Sequence, residues 1–277
     1  MLTPIKFNSS SFLCKLFPFW PSITSPINLV KQKLHNDWKL FNASVSSLKF
    51  KTTFKTTLND RHKLTNELIN NHIENPIIVL DVGASTGVTS FDFIKAFESK
   101  VQHFFVTDNN VEISYVELGD FVLFFDDNTC ILVTSKHFVI YPQESNLVKL
   151  CFRKSIKNAL KQQKNNIKLI DPRLLTYIDN KKVTFLKYSF FDKWEFTKVN
   201  LIKVANVLNR VYFSDSDILV GIQNLIDAFN SEGLLFITEN RELEKTSMFR
   251  FENSKLTLVK SLNGGSEIEG LIVSNFS

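Results

Sequence analysis

The feature that most constrains this chain is Ile77-Ile78-Val79-Leu80 running straight into Asp81-Val82-Gly83-Ala84-Ser85-Thr86-Gly87. A short unbroken apolar run suits a strand buried on both faces of a parallel sheet, and parallel strands need crossover connections, usually helices. The next residues meet that need. Gly83–Gly87 is a turn, and Thr89–Phe97 spaces its apolar residues as a helix does, with Phe91, Ile94 and Phe97 expected to face inward. Glycines at a strand-to-helix turn let backbone N–H groups approach a ligand closely, beside a helix N-terminus that favours negative charge.

The pattern continues with a second strand, His103–Thr107, ending at Asp108, 27 residues beyond Asp81. Nucleotide folds place an acid on the ribose hydroxyls at that point. Between Val111 and Tyr141 the period drops to two, and turn signals at Gly119-Asp120 and Asp126–Asn128 divide the segment into three or four antiparallel strands, a β insertion. A basic amphipathic helix, about Ser145–Gln163, follows, and its lysines are read as a solvated face. Strands are then expected at Val183–Tyr188, Leu201–Ala205 and Leu234–Thr238, with a helix at Ser216–Asn230, and Met248–Phe276 reads as terminal antiparallel strands around a Gly264-Gly265 turn.

In this order the motifs resemble those of class I S-adenosylmethionine (SAM)-dependent methyltransferases. Asp81-x-Gly83-x-Ser85-x-Gly87 is similar to the family's Asp/Glu-x-Gly-x-Gly-x-Gly, with Ser85 in place of the middle glycine. Asn200–Leu208 resembles the family's fourth motif, with Asn200 for the usual Asp. Asn206-Val207-Leu208 followed by Tyr212-Phe213 is distantly similar to the chemotaxis-receptor glutamate methyltransferases, and Glu232-Gly233 stands where the family has Pro-Gly-Gly. The resemblance covers about two-thirds of the chain. It implies a Rossmann-like α/β fold: a mostly parallel sheet with helices on both faces, an antiparallel C-terminal strand pair, an N-terminal helical extension and the β insertion. It implies SAM as cofactor, with Asp81 orienting the methionine ammonium, Gly83, Ala84, Ser85 and Gly87 forming the close-approach loop, and Asp108 on the ribose. Ser189, with Asp192 a little further on, stands where the family touches the adenine amino group. Asn206, grouped here with the cofactor residues, and Asn209, Arg210 and Tyr212 follow the fourth strand, facing the region where family members meet their acceptors, with helix capping and packing as their alternative role.

Other chemistries fit less well. Gly83-Ala84-Ser85-Thr86-Gly87 also matches the Gly-x-Ser-x-Gly nucleophile elbow, but that class needs a late His and nothing follows His137. A nicotinamide oxidoreductase wants Gly-x-Gly-x-x-Gly, where this chain has Ser85 and Val88, and no phosphate-binding Gly-x-x-x-x-Gly-Lys-Ser/Thr occurs. No Asn/Asp-Pro-Pro-Tyr/Phe follows the fourth strand and there is no Pro-Cys, which disfavours methylation of nucleobases. The expectation is SAM-dependent methyl transfer to an unidentified small molecule or protein side chain. The alternative is a non-catalytic SAM- or nucleotide-binding scaffold with the same fold, since Ser85, Asn200 and Glu232 depart from the motifs.

The 33 Lys and Arg against 28 Asp and Glu are spread along the 277 residues, so nucleic acid is not an expected partner. Cys14, Cys130 and Cys151 have no metal-ligand spacing, and no metal is expected. Phe12–Trp20, broken by Pro18, is too short to span a bilayer, and the expected location is the cytoplasm. Residues 1–75 are expected to form an irregular arm (1–25) and a helical cap, with helices near Pro26–Phe41 and near Asp60–His72, the latter N-capped by Asp60. Residues 76–277 are expected as the SAM-binding domain, carrying the insertion at about 111–141.

Overall fold

In the computed structural model, which describes residues 3–31, 37–51, 53–55, 58–74 and 76–277, the chain forms two compact units, each holding a seven-stranded sheet. Unit 1 joins Met1–Thr57 to Glu112–Arg173. Its strands are β1 (Ile5–Asn8), β2 (Ser22–Ile23), β7 (Glu112–Leu118), β8 (Phe121–Asp126), β9 (Thr129–Thr134), β10 (Phe138–Ile140) and β11 (Asn165–Lys168), in the order β11-β7-β8-β9-β10-β1-β2. A two-stranded ribbon, β3 (Lys49–Phe50) and β4 (Thr53–Phe54), pairs separately and packs Phe50 into the core shared with Phe124 and Leu132. The helices are α1 (Leu13–Leu16), α2 (Ile27–Lys31), α3 (Trp38–Val45) and α6 (Asn146–Ala159).

The expected insertion is present as β7–β10, turned by Gly119 and Asp127, both at positive φ. Its strands place Val122, Phe124 and Tyr115 on one face against Phe41 and Val45 of α3, and Val116, Leu123 and Phe125 on the other against Val148 and Ala159 of α6. Because both faces are covered, Phe121–Phe125 is apolar without interruption. Ser145 caps α6 by accepting from the Val148 N–H.

The first 25 residues differ from the expected irregular arm. They supply β1, antiparallel to β10 with Ile5 opposite Ile140, and β2, parallel to β1. The N-terminal segment and the insertion thus share one sheet, and the contact boundary falls at Leu58 where sequence placed it near residue 75. Residues 32–36 of the expected Pro26–Phe41 helix lie outside the described residues, with α2 and α3 on either side.

Unit 2 joins Leu58–Val111 to Leu174–Ser277. Its strands are β5 (Ile77–Val82), β6 (Val101–Asp108), β12 (Val183–Lys187), β13 (Val199–Ala205), β14 (Phe229–Asn240), β15 (Glu244–Glu252) and β16 (Lys255–Leu262), ordered β12-β6-β5-β13-β14-β15-β16. The first five are parallel and β15 and β16 complete an antiparallel meander with β14. The helices are α4 (Lys63–Asn70), α5 (Val88–Ala96), α7 (Leu175–Asp179), α8 (Asp215–Ile226) and α9 (Glu269–Phe276). One sheet face, with Leu80, Val82, Ile202 and Val204, packs on Ile218, Ile222 and Leu225 of α8 and on Ile272 of α9. A capping box, Ser214 with Asp217, starts α8.

From β5 the chain builds outward to β6 and β12, then returns to place β13 on the other side of β5. The order reverses between β5 and β13, and open α/β sheets bind ligands outside the carboxyl ends of the strands at such a point. Three local expectations are corrected. Phe93 is fully buried in α5 where Phe91 is only half-buried. Asp60 has φ +55°, so His62 takes the N-cap position of α4. Asn253 and Ser254, both left-handed, turn β15 into β16, while Gly264-Gly265 leads into α9, a helix where a strand was expected.

Candidate functional site

All eight residues singled out from the sequence lie at the carboxyl ends of four adjacent parallel strands. Asp81, Gly83, Ala84, Ser85 and Gly87 are at the end of β5, Asp108 closes β6, Ser189 follows β12, and Asn206 follows β13. The turn after β5 is tied to β6 by the Ala84 N–H to the Thr107 carbonyl (2.8 Å) and by the Ser85 N–H to Asp108 Oδ2 (2.9 Å). Asp108 Oδ1 accepts from the Asn110 N–H at 2.8 Å, so backbone donors on both oxygens fix the carboxylate's orientation.

Gly83, Ser85 and Gly87 have φ of +70°, +59° and +85°. The two glycines also need their missing side chain: a Cβ on Gly83 would fall 2.2 Å from Val207 Cγ2, and one on Gly87 2.5 Å from Leu174 Cδ1. Ser85 holds the left-handed conformation without that licence, at a cost on the order of 1 kcal/mol. Its hydroxyl is buried and has no hydrogen-bond partner among the described residues. Strain and an unsatisfied buried hydroxyl coincide on one residue at the switch point, which is the kind of outlier that points to a ligand. A hydrolase is not what it points to, since a Ser nucleophile needs a base bonded to its oxygen.

Ser189 and Asn206 are committed to the local backbone. The Ser189 hydroxyl accepts from the Phe191 N–H (3.3 Å), and Asn206, at φ +59°, accepts the Asn240 N–H on its Oδ1 (2.7 Å). Asn200, a departure from the family's motif, lies at the other end of β13, where its Oδ1 accepts the Ile78 N–H (2.9 Å).

Sequence reasoning passed over Lys203. It lies opposite Asp81 in the β13/β5 register, is fully buried, and places its Nζ 3.4 Å from Asp81 Oδ2, which also accepts the Ser90 hydroxyl of α5 at 2.7 Å. Asp81, 1% exposed, is enclosed by its own chain. A lysine inside the apolar run Leu201-Ile202-Lys203-Val204 was the available signal, because a buried charge on a central strand requires a partner. His62 was likewise missed. It is buried at the start of α4, and burial, then the Lys203 and Arg61 charges, lower its pKa to about 2 against the opposing effect of a hydrogen bond with Asn240. The imidazole is therefore neutral near neutral pH and a weak base.

Two open concavities of unit 2 lie elsewhere, one lined by Ile73, Pro76, Asn200 and Leu234, the other by Ile226, Phe229 and Phe276. Both are at the amino ends of parallel strands, the end that open α/β sheets do not use for ligands.

No protein-family model and no curated protein matches the chain. Several solved structures are similar to it at low identity. An O-methyltransferase from neocarzinostatin biosynthesis, in complex with S-adenosyl-L-homocysteine (SAH) and 1,4-dihydroxy-2-naphthoic acid, is 14% identical over 58% of this chain and 31% of its own, with a TM-score of 0.31. N-methyltransferase NodS from Bradyrhizobium japonicum, in complex with SAH, is 9% identical over 65% of this chain and 62% of its own, at 0.33. The pyocyanin biosynthetic protein PhzM is 8% identical over 76% and 42%, at 0.38. The chain spans less than two-thirds of the length of each. The chemotaxis-receptor resemblance has no support among them.

Two outcomes follow from the buried groups. Asp81→Leu or Lys203→Met alone leaves an unpaired buried charge and is expected to cost about 3–5 kcal/mol, whereas the double substitution costs far less than the sum, measured by denaturant unfolding. His62 stays neutral in the folded protein while the unfolded chain takes up a proton below its ordinary pKa of 6.5. Stability relative to His62→Gln is therefore expected to fall, by up to about 1.4 kcal/mol per pH unit, as pH drops below 6.5 towards 5. Parallel pH profiles for the two proteins would contradict this.

Proposed function

We propose that unit 2 binds S-adenosyl-L-methionine at the carboxyl ends of β5, β6, β12 and β13, and that the chain transfers its methyl group to a small molecule or a protein side chain. The observation that carries this reading is Ser85: a strained residue with an unsatisfied buried hydroxyl, whose N–H is spent on orienting the Asp108 carboxylate. An oriented acid at the end of the strand next to a glycine turn is what ribose hydroxyls donate to. Gly87 stands at the N-cap of α5 and supplies no capping side chain, which leaves that helix end suited to a ligand carboxylate. The donor set fits the cofactor.

Bound there, the cofactor supplies an electrophilic methyl carbon, and the protein's task is placement. In this reading Asp81 acts as a positioning residue, because Lys203 and Ser90 already occupy its carboxylate. A carboxylate, or an amine presented in its neutral form, needs no base in the site, and it is the acceptor class this reading favours. The finer resemblance to glutamate methyltransferases, carried by Asn206-Val207-Leu208 and Tyr212-Phe213, is compatible with that class.

Calorimetric titration with SAM and with SAH tests the reading. Micromolar binding that weakens at least about tenfold in Asp108→Ala supports it, that factor corresponding to one lost charge-assisted hydrogen bond. Absence of binding by folded wild-type protein would overturn it, and binding without transfer to any carboxylate or amine acceptor would leave the scaffold alternative.

A further inference from the structure

The site described above uses none of unit 1, yet unit 1 has the more unusual surface. It carries 17 Lys and Arg against 8 Asp and Glu, a net of +9, while unit 2 carries 16 against 20, a net of −4. Much of the excess lies in two stretches without acids. Residues 1–36 hold four lysines and no Asp or Glu, and residues 145–170 hold seven Lys and Arg and no Asp or Glu.

The same stretches carry the largest apolar exposures in unit 1. Phe19 is completely exposed (100%), and Phe12, Leu16 and Phe17 are each more than half exposed, with Trp20 at half. On α6, Leu147 is 71% exposed and Leu150 also stands in solvent. Water gains nothing from these side chains, and an exposed apolar patch of this kind marks an interaction site.

The N-terminal projection is held in a defined shape. The Trp20 indole N–H donates to the Ile5 carbonyl (3.3 Å), and the Phe7 and Ser9 N–H groups donate to the Pro21 and Ile23 carbonyls, each at 2.9 Å. The rings of Phe17 and Trp20 rest 6.1 and 5.9 Å from that of Phe7, which itself lies 5.8 Å from Phe138. Ile5 and Phe138 pack with the cluster that α6 covers, and Phe7 shares the Ile5 face of β1, so the projection and α6 lie on the same face of the sheet. On α6 the exposed Leu147, Leu150, Lys154 and Lys157 recur at helical spacing, opposite the buried Val148 and Ala159.

We infer that this face of unit 1 docks on the surface of an anionic lipid bilayer. Phe, Trp and Leu side chains enter the boundary between headgroups and acyl chains, and the lysines of these two acid-free stretches meet the anionic headgroups. The aliphatic members decide against single-stranded nucleic acid, which uses aromatic stacking platforms in a groove and has no use for Leu16, Leu147 or Leu150. Among the described residues no helix is long and apolar enough to cross a membrane, so the contact is peripheral. This inference does not depend on the methyl-transfer proposal.

The test is co-sedimentation of the full chain with vesicles of phosphatidylcholine alone and of phosphatidylcholine mixed with phosphatidylserine, at low and high salt. Binding is expected only with phosphatidylserine and is expected to weaken as salt rises. It should drop at least about tenfold in Phe19→Ser/Trp20→Ser, from the lost apolar burial, and clearly in Lys154→Glu/Lys157→Glu. Circular dichroism checks that each variant is folded. Failure of folded wild-type protein to sediment with either vesicle would overturn the inference, as would undiminished binding by both variants. So would a concentration-dependent dimer that the Phe19/Trp20 variant loses while vesicles are ignored, an outcome that assigns the face to a second copy of the chain.

Discussion

A carboxylate and an ammonium taken out of water together govern unit 2. Each would cost several kcal/mol alone inside a parallel sheet, and they are tolerable because the β5/β13 register sets Asp81 beside Lys203. A one-residue slip of β13 would turn Lys203 to the opposite face, into the apolar packing of α8 and α9, and leave Asp81 unpaired. The Ser90 hydroxyl brings α5 into the same network. Two strands and the helix after the turn are thereby fixed to one another, and the turn between β5 and α5 is held from both ends.

That fixation gives the strained turn its support. A left-handed serine with a buried, unpartnered hydroxyl persists only where its surroundings over-determine it, and here they do so from three sides. The Thr107 carbonyl holds the Ala84 N–H, Asp108 holds the Ser85 N–H, and Val207 and Leu174 pack where the two glycines have no Cβ. The glycines thus have conformational and packing reasons of their own, and Ser85 is the residue for which the fold alone offers no reason. The ligand reading rests on that difference.

The turn, Asp108 and the alternating strands and helices of unit 2 were legible in the sequence because each is a local pattern: an apolar run, glycines at a fixed spacing, an acid at a strand end. The strands β7–β10 were legible chiefly through the turn residues between them, since β8 and β9 are covered on both faces and run apolar without a period of two. What sequence did not disclose depends on distant partners. β1 is four residues beside a proline whose partner strand is β10, far along the chain. Lys203 was visible as a charge in an apolar strand, but its partner follows from register, and His62 is buried only because α4 packs with β14 and β15, where Thr65 bonds Thr238 and Thr246. The C-terminal helix α9 centres on Leu271-Ile272-Val273, a short apolar run in which period does not distinguish helix from strand.

The central claim is that the turn after β5 and the end of β6 form one ligand site in unit 2. Hydrogen–deuterium exchange with and without saturating SAH tests it most directly, because it reads the backbone amides of the turn themselves. The account predicts slowed exchange in peptides covering residues 83–90 and 108–111, with unit 1 unchanged. Unaltered exchange across those peptides in folded protein, or protection appearing only in unit 1, would contradict it.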